Sequence, residues 1–214
     1  MPDFLLEDEH KGLVAGVDEA GRGPWAGPVV AGAVIILNRS LDDELLSSLD
    51  DSKKLSAKKR EKLYELLKKE EKKGNVVLGV GLAQAKEIDD LNILQATFLA
   101  MRRAVDALNQ KPNFILVDGN QKPKNMPCEV QTVVKGDARS MSIAAASVVA
   151  KVYRDRLMAK LALEYPYYGF EKNAGYGTKL HIQGLKEHGA TPEHRFSYKP
   201  VKEIEEERRS LQKY

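Results

Sequence analysis

The chain has 214 residues, is 43% hydrophobic, and carries a net charge of +3 with an isoelectric point of about 8.8. No apolar run approaches the roughly 20 residues that a membrane-spanning helix needs, and the acidic N-terminus lacks a secretory signal pattern. A single cysteine, Cys128, excludes an intrachain disulfide and a cysteine-rich zinc site. We therefore expect a cytoplasmic protein without a membrane partner, whose mildly basic charge does not by itself identify a nucleic-acid ligand.

The first predicted strand is an apolar run at residues 13–17 that ends in the adjacent carboxylates Asp18 and Glu19. A charged pair that closes a buried strand is costly unless something neutralises it, and oxygen ligands suit Mg²⁺ or Mn²⁺. Glycines follow at once, where bare main-chain N–H groups could approach a ligand closely. The same stretch could form an ordinary hairpin turn, although Arg22, which lies between two glycines, adds nothing to a core.

The rest of the chain alternates between strand and helix patterns. Further strands are expected at residues 29–37, 76–83, 114–117 and 129–134, with the first two strands of the chain antiparallel because their connection is short. A short helix is expected at residues 41–49, and a second helix is expected to begin after a cap at Ser52 or Ser56. Further helices are expected from Asn92 to Leu108 and at residues 140–165, 180–187 and 201–211. Small residues on one face of the third strand predict that something packs closely there, and those at residues 144–147 predict that their helix lies tightly on the sheet. The pattern predicts an α/β fold, a five-stranded mixed sheet flanked by helices.

The composition changes at residue 166, where an aromatic and glycine-rich loop precedes two short helices. No flexible linker separates this segment from the preceding chain. We expect one catalytic domain over residues 11–214, with a core at residues 11–165 and a C-terminal substrate-binding loop and helical appendix at residues 166–214.

Two more aspartates close predicted strands, Asp118 after the fourth strand and Asp137 just after the fifth. Because α/β folds place catalytic groups at the carboxyl ends of strands, both would converge with Asp18 and Glu19 if these strands are neighbours. Close carboxylates repel, and two divalent cations about 4 Å apart are a common solution that performs phosphoryl transfer. Adjacent strand residues point to opposite faces, so Glu19 must lie past the strand end or contribute its main-chain oxygen. Asp118 could be a mere turn residue and Asp137 a mere helix cap.

Other kinds of site fit the sequence poorly. His181, His188 and His194 lack the i,i+4 spacing of a helical zinc site, so we do not expect them to bind a metal. No Gly-x-Ser-x-Gly nucleophile elbow is present, and the glycine-rich loop lacks the Gly-Lys-Ser/Thr of a P-loop.

Taken together, these motifs resemble the type 2 ribonucleases H, specifically the bacterial ribonuclease HII family. The matching stretches are DEAGRGP (18–24), DSKKL (51–55), VDG (117–119), KGD (135–137), SIAAASVVAKVYRD (142–155), YGT (176–178) with His181, and HRFSY (194–198). The sister ribonuclease HIII is similar but carries an extra N-terminal domain and a Gly-Lys-Gly variant, and a motif that begins at residue 18 leaves no room for that domain. One departure is Tyr198, where the family more often has Phe.

The resemblance implies a ribonuclease H-like fold and endonucleolytic cleavage of RNA in RNA–DNA hybrids. It also implies nicking on the 5′ side of single ribonucleotides embedded in duplex DNA, with 5′-phosphate and 3′-hydroxyl products. By the family pattern, Asp18, Glu19, Asp118 and Asp137 are catalytic and hold two Mg²⁺ or Mn²⁺ ions when substrate is bound. The expected partners are RNA–DNA hybrids and ribonucleotide-containing DNA duplexes, and the expected enzyme is a monomer.

The resemblance also assigns residues that contact the substrate. Gly21, Arg22 and Gly23 resemble a loop that reads the 2′-hydroxyl through its main chain, and this hydroxyl is the group that distinguishes RNA from DNA. Tyr176 resembles the tyrosine that stacks on the sugar beyond the scissile phosphate. Without the resemblance, Tyr176 could equally be a loop aromatic that fills a gap in the core.

Three lysines are expected to contact phosphates, namely Lys53, Lys54 and Lys151. For the first two, a solvated lysine-rich face is the alternative. Two other functions remain open at this stage: another metal-dependent nuclease of the same fold, and a non-catalytic nucleic-acid-binding module that uses the same basic residues.

Overall fold

The structure, a computed structural model, describes residues 1–49 and 55–211. Its sheet is formed by β1 (Val14–Ala20), β2 (Val29–Ile36), β3 (Val76–Ala83), β4 (Phe114–Asp118) and β5 (Glu129–Val133). The strand order is β3-β2-β1-β4-β5. β1 pairs antiparallel with β2 and parallel with β4, and β4 pairs parallel with β5. The predicted α/β fold with a five-stranded mixed sheet is confirmed.

Helices connect and follow these strands. They are α1 (Leu5–Asp8), α2 (Asp43–Ser48), α3 (Ala57–Lys72), α4 (Ala85–Leu91), α5 (Ile93–Asp106), α6 (Met141–Glu164), α7 (Phe170–Asn173), α8 (Lys179–His188) and α9 (Lys199–Leu211). The sequence did not predict α1, α4 or α7, because each is short and contains charged residues. No helix among the described residues is long and apolar enough to cross a membrane.

Two predicted caps are found at helix starts. The Ser56 side chain accepts a hydrogen bond from the Lys59 amide at the start of α3, at 3.2 Å. The Asn92 side chain accepts from the amides of Leu94 and Gln95 at the start of α5, at 3.0 and 3.2 Å. Such side-chain acceptors satisfy amide groups that the first turn of a helix leaves without partners.

The chain forms two compact units, of which the first comprises Met1–Ala20, Val30–Leu82 and Phe98–Val152. In this unit α6 lies directly on the sheet. A β-carbon at Gly16 or Gly32 would overlap the α6 main chain at Ser142 or Ala146, respectively. The small-residue patch of α6 therefore packs as closely as the sequence predicted, because glycine leaves no side chain between strand and helix.

The small face of β3 is covered in the same way, by α5. A β-carbon at Gly79 would overlap the main chain at Ala104, and one at Gly81 would overlap the main chain at Ala100 and Ala104. The close packing predicted for this face is confirmed.

The second unit comprises Gly21–Val29, Ala83–Thr97 and Tyr153–Tyr214. It contains the C-terminal half of α6 together with α7, α8 and α9, and a core cluster of its own. The buried members of that cluster are Ala26, Met158, Ala162, Tyr168, Phe170 and Leu185. The prediction of one domain with an appendix from residue 166 stays a prediction.

Candidate active site

Asp18 and Asp118 lie at matching positions on two neighbouring parallel strands. The register of β1 with β4 pairs Val17 with Val117, so each aspartate is the next residue along its strand. Neighbouring strands lie about 4.8 Å apart, which brings the two main chains close at the carboxyl ends of both strands. Asp18 is 4% exposed and Asp118 is half-buried. Neither residue lies in a hairpin turn, because both are within strands.

Asp137 is brought to the same edge of the sheet by the turn that follows β5. The Gly136 amide donates a hydrogen bond to Asp118 Oδ1 at 2.7 Å, and Asp137 is the next residue, 7% exposed. The alternative that Asp137 caps α6 is excluded, because the Ser140 hydroxyl oxygen accepts from the Ile143 amide at 3.1 Å instead. The structure thus gathers three of the predicted carboxylates at one edge.

The sequence left two alternatives for Glu19, a position past the strand end or ligation through its main-chain oxygen. Glu19 lies inside β1, opposite Ala31 of β2, and its amide donates to Asp18 Oδ1 at 2.7 Å. The position past the strand end is not found, because the antiparallel pairing of β1 with β2 continues as far as Ala20. Consecutive strand residues point to opposite faces, so only the main-chain oxygen remains from the two routes predicted for Glu19.

The donor chemistry of this edge suits a divalent cation. Asp18 and Asp137 are carboxylates in surroundings that exclude most water, where a nearby positive charge offsets the cost of burial. Carboxylate oxygens are also the ligands that Mg²⁺ and Mn²⁺ prefer. Within residues 1–49 and 55–211, however, no three acidic, histidine or cysteine side chains are already arranged to hold a metal ion. The residues fit such an ion, and ligation would require their side chains to turn toward it.

The predicted substrate loop lies in the second unit. Gly21 has a φ of +97°, and a β-carbon there would overlap the Arg154 side chain, so glycine is required on both counts. A β-carbon at Gly23 would lie 3.3 Å from the Tyr176 ring. The structure therefore brings Tyr176 together with this loop. The Tyr176 side chain is 53% exposed, which excludes the alternative that it fills a core gap.

Of the three lysines predicted to contact phosphates, the structure describes one. Lys53 and Lys54 lie outside the described residues. Lys151 is half-buried on α6 in the first unit. Its predicted contact with phosphate stays a prediction.

Two buried arginines near the substrate loop were missed as functional residues. Arg154 is 1% exposed and donates to the main-chain oxygens of Ala26, Pro28 and Ala174 at 2.9–3.2 Å. Burial, followed by the nearby charge of Arg195, lowers the pKa of Arg154 to about 10. Arg195 is fully buried as well and likewise donates to main-chain oxygens. Both lie in the family motifs, but arginine in a sequence carries no signal that it will be buried.

His181 and His194 form a buried pair in the second unit. Their Nε2 atoms are 3.0 Å apart, His194 Nδ1 accepts from the Thr191 amide, and His181 Nδ1 lies 3.0 Å from the Tyr176 carbonyl oxygen. These partners require His194 to donate through Nε2 and His181 to donate to Tyr176, with both rings neutral. Burial lowers the pKa of both, that of His194 to about 3. The pair supports the main chain at Tyr176.

The chain is similar to known proteins over almost all of its length. The ribonuclease HII family model matches residues 15–201. Ribonuclease HII of Paramagnetospirillum magneticum is 57% identical over 201 residues, covering 94% of this chain and 97% of that relative. Ribonuclease H2 from Pyrococcus horikoshii OT3 has a TM-score of 0.74 at 32% identity, covering 92% of this chain and 99% of the other.

A third similarity concerns the fold alone. The crystal structure of Bst-RNase HIII in complex with Mn²⁺ has a TM-score of 0.70 at 16% identity, covering 92% of this chain and 70% of that one. The family model spans far more than half of the chain, and the curated relative is similar over nearly its whole length. On this evidence, the chain belongs to the ribonuclease HII family.

Proposed function

We propose that this chain is an endoribonuclease that hydrolyses RNA in RNA–DNA hybrids. In duplex DNA it nicks on the 5′ side of an embedded ribonucleotide and leaves 5′-phosphate and 3′-hydroxyl ends, the first step of ribonucleotide excision repair. The observation that carries the proposal is the edge of the sheet where Asp18 and Asp118 lie near the carboxyl ends of two parallel strands and Asp137 follows a third. Membership of the ribonuclease HII family supports the same reaction.

Asp18, Asp118, Asp137 and the main-chain oxygen of Glu19 would hold two Mg²⁺ or Mn²⁺ ions when substrate is bound. Bound divalent cations supply an activated water and stabilise the developing charge on a leaving oxygen. Two of these carboxylates accept hydrogen bonds from main-chain amides at the same edge, Asp18 from Glu19 and Asp118 from Gly136.

Recognition of the ribonucleotide falls to the loop that follows β1 in the chain. Main-chain N–H groups at Gly21, Arg22 and Gly23 would bind the 2′-hydroxyl, the group that distinguishes RNA from DNA. The exposed ring of Tyr176 would stack on the neighbouring sugar. Lys53, Lys54 and Lys151 would contact phosphates, which position the duplex without reading its sequence.

The test is a nicking assay on duplex DNA that contains one ribonucleotide, with Mg²⁺ or Mn²⁺, with chelator, and with an all-DNA duplex. We expect one nick 5′ of the ribonucleotide, no nick with chelator, and no cleavage of the all-DNA duplex. Replacing Asp118 with Asn removes a charged oxygen and is expected to lower the nicking rate at least about 100-fold. The exposed Asp106, changed to Asn, is the matched control and keeps the wild-type rate.

Other outcomes of the assay identify the alternatives. A non-catalytic binding module would bind the duplex without nicking it, and Asp118→Asn would change nothing. A different nuclease of the same fold would cleave the all-DNA duplex. A monomeric state, a single domain over residues 11–214 and a cytoplasmic location accompany the proposal as predictions of their own.

A further inference from the structure

Arg195 and Tyr198 hold the carbonyl oxygens of the Gly21–Arg22–Gly23 loop from one side. Arg195 Nη2 donates to the Gly21 oxygen at 2.5 Å, and Arg195 Nη1 donates to the Arg22 oxygen at 2.8 Å. The Tyr198 hydroxyl donates to the same Arg22 oxygen at 2.5 Å and accepts from Arg195 Nη1 at 2.9 Å. Two side chains from the C-terminal segment therefore bind two successive peptide units of this loop.

The Arg195 guanidinium also fixes the far end of the loop. Its Nε and Nη2 atoms donate to the Gly27 oxygen at 3.1 and 2.9 Å, and the Arg195 amide donates to the Trp25 oxygen at 2.8 Å. The side chain is fully buried, which lowers its pKa, and a planar fork with five N–H donors can bind several oxygens at once. One buried side chain thus sets the distance between the two ends of the loop.

A second anchor keeps the C-terminal segment itself in place. The Asp89 carboxylate accepts from the amides of Phe196 and Ser197 at 2.9 and 2.8 Å, and from the Ser197 hydroxyl at 2.6 Å. These residues lie between Arg195 and Tyr198 in the chain. Both donors to the loop therefore come from a segment with its own fixed position.

Because a peptide unit is planar, hydrogen bonds that hold its carbonyl oxygen also fix the direction of its N–H group. In a planar trans peptide the carbonyl of one residue and the N–H of the next point in opposite directions. Because the Gly21 and Arg22 oxygens face Arg195 and Tyr198, the N–H groups of Arg22 and Gly23 face the other way. A hydrogen bond accepted by the carbonyl also polarises the peptide and strengthens its N–H as a donor.

We propose that Arg195 and Tyr198 are positioning residues that set the preference for a ribonucleotide by orienting and polarising these two amides. The inference rests on the proposed function, in which the same amides bind the 2′-hydroxyl.

The experiment compares wild type with Tyr198→Phe in binding to two duplexes, one all-DNA and one with a single ribonucleotide, in the presence of chelator. Because the chelator removes metal ions and prevents cleavage, the ratio of the two affinities measures the contribution of the 2′-hydroxyl to binding. Tyr198→Phe removes both hydrogen bonds of the hydroxyl, and loss of the one to the Arg22 oxygen is expected to lower this ratio about fivefold. The affinity for all-DNA duplex should stay at the wild-type value. With metal present, kcat/KM for the ribonucleotide duplex should fall by a similar factor.

Tyr167→Phe is the matched control, because Tyr167 is an exposed tyrosine of the same unit that stacks on His188, and its affinity ratio should equal that of wild type. Arg195→Lys is the stronger variant. A single ammonium group cannot replace a fork that reaches Gly21, Arg22 and Gly27. Its affinity ratio should fall further, about tenfold or more, but Tyr198→Phe decides the question whether or not Arg195→Lys folds.

The outcomes separate this inference from the proposed function. If wild type neither nicks the ribonucleotide duplex nor prefers it, the proposed function fails, and the inference with it. If wild type nicks and prefers it while Tyr198→Phe keeps the wild-type affinity ratio, the positioning role is refuted and the function stands. An equal loss of affinity for both duplexes in Tyr198→Phe would also refute the inference, because it indicates a structural role only.

Discussion

At the scale of single residues, Gly21 illustrates how main-chain conformation and close packing act together. Its φ of +97° lies in a region that side chains disfavour, and the Arg154 side chain occupies the space that a β-carbon would need. A sequence with glycine at this position satisfies both demands. Any other residue would strain the loop and displace a buried arginine.

Replacing Gly21 with Ala is therefore expected to lower the free energy of unfolding by about 2–4 kcal/mol, through backbone strain and overlap with Arg154. Urea denaturation measures the change. Gly74→Ala is the control, since Gly74 also has a positive φ, +78°, but no atom lies within 4 Å of its β-carbon position. We expect a loss of about 1 kcal/mol there. Equal losses in the two variants would refute the overlap with Arg154.

The buried histidine pair makes stability depend on pH. In the folded protein the pKa of His194 is about 3, against an ordinary value of 6.5 for histidine in an unfolded chain. Below pH 6.5 the unfolded chain binds a proton that the folded protein excludes. The stability that His194 contributes is therefore complete above pH 6.5 and is lost as the pH falls toward 3.

Between pH 7 and pH 5 this loss amounts to about 2 kcal/mol of unfolding free energy in the wild type. His194→Gln has no such group, so its unfolding free energy should fall by about that much less over the same interval. Urea denaturation at the two pH values tests this. His188→Gln, at a histidine that stacks on Tyr167, controls for removal of a histidine. Parallel pH profiles for wild type and His194→Gln would contradict the prediction.

At the scale of elements, helix boundaries follow local chemistry where the sequence offers a cap. The sequence left Ser52 and Ser56 as alternative caps for α3, and Ser56 accepts the hydrogen bond from Lys59. Ser52 lies outside the described residues. At the start of α6, Asp137 lies within the short turn Gly136–Ala138, and Ser140 is the residue that accepts from the Ile143 amide of the helix.

Replacing Ser56 with Ala removes the acceptor at the start of α3 and should lower the free energy of unfolding by about 1 kcal/mol. Thermal or urea denaturation measures it. Ser47→Ala is the control, because Ser47 is an exposed residue within α2, and its effect should stay within about 0.5 kcal/mol. A Ser56→Ala variant as stable as wild type would show that this hydrogen bond contributes nothing to α3.

At the scale of the whole molecule, the net charge of +3 is small for a protein that binds a polyanion. Affinity must then depend on a few well-placed cations rather than on a broad basic surface. Lys151 is the predicted phosphate contact that lies within the described residues. It is half-buried on α6, a helix whose packing on the sheet holds its position.

Replacing Lys151 with Gln should weaken binding to ribonucleotide-containing and all-DNA duplexes alike, because a phosphate contact carries no sequence information. The slope of log affinity against log salt concentration should fall by about 1. Lys160→Gln is the control: Lys160 is exposed and nine residues further along α6, on roughly the opposite helix face, and should keep the wild-type slope. An unchanged slope in Lys151→Gln would remove this lysine from the substrate-binding residues.

By itself the sequence determined the five strands, most of the helices and the family, because hydrophobic periodicity, caps and ordered motifs are local features. It also determined that Asp18, Asp118 and Asp137 end or follow strands. That Asp18 and Asp118 stand at matching positions follows from the register of β1 with β4, a pairing between segments 100 residues apart.

Only the tertiary structure decided how the remaining groups act. It placed Glu19 inside β1 because a partner strand continues beside it. It also showed that Arg195 binds the carbonyl oxygens of Gly21 and Arg22, more than 170 residues away in the chain. Such contacts depend on which distant segments share a surface, and a hydrogen bond to a main-chain oxygen leaves no trace in the identity of the accepting residue.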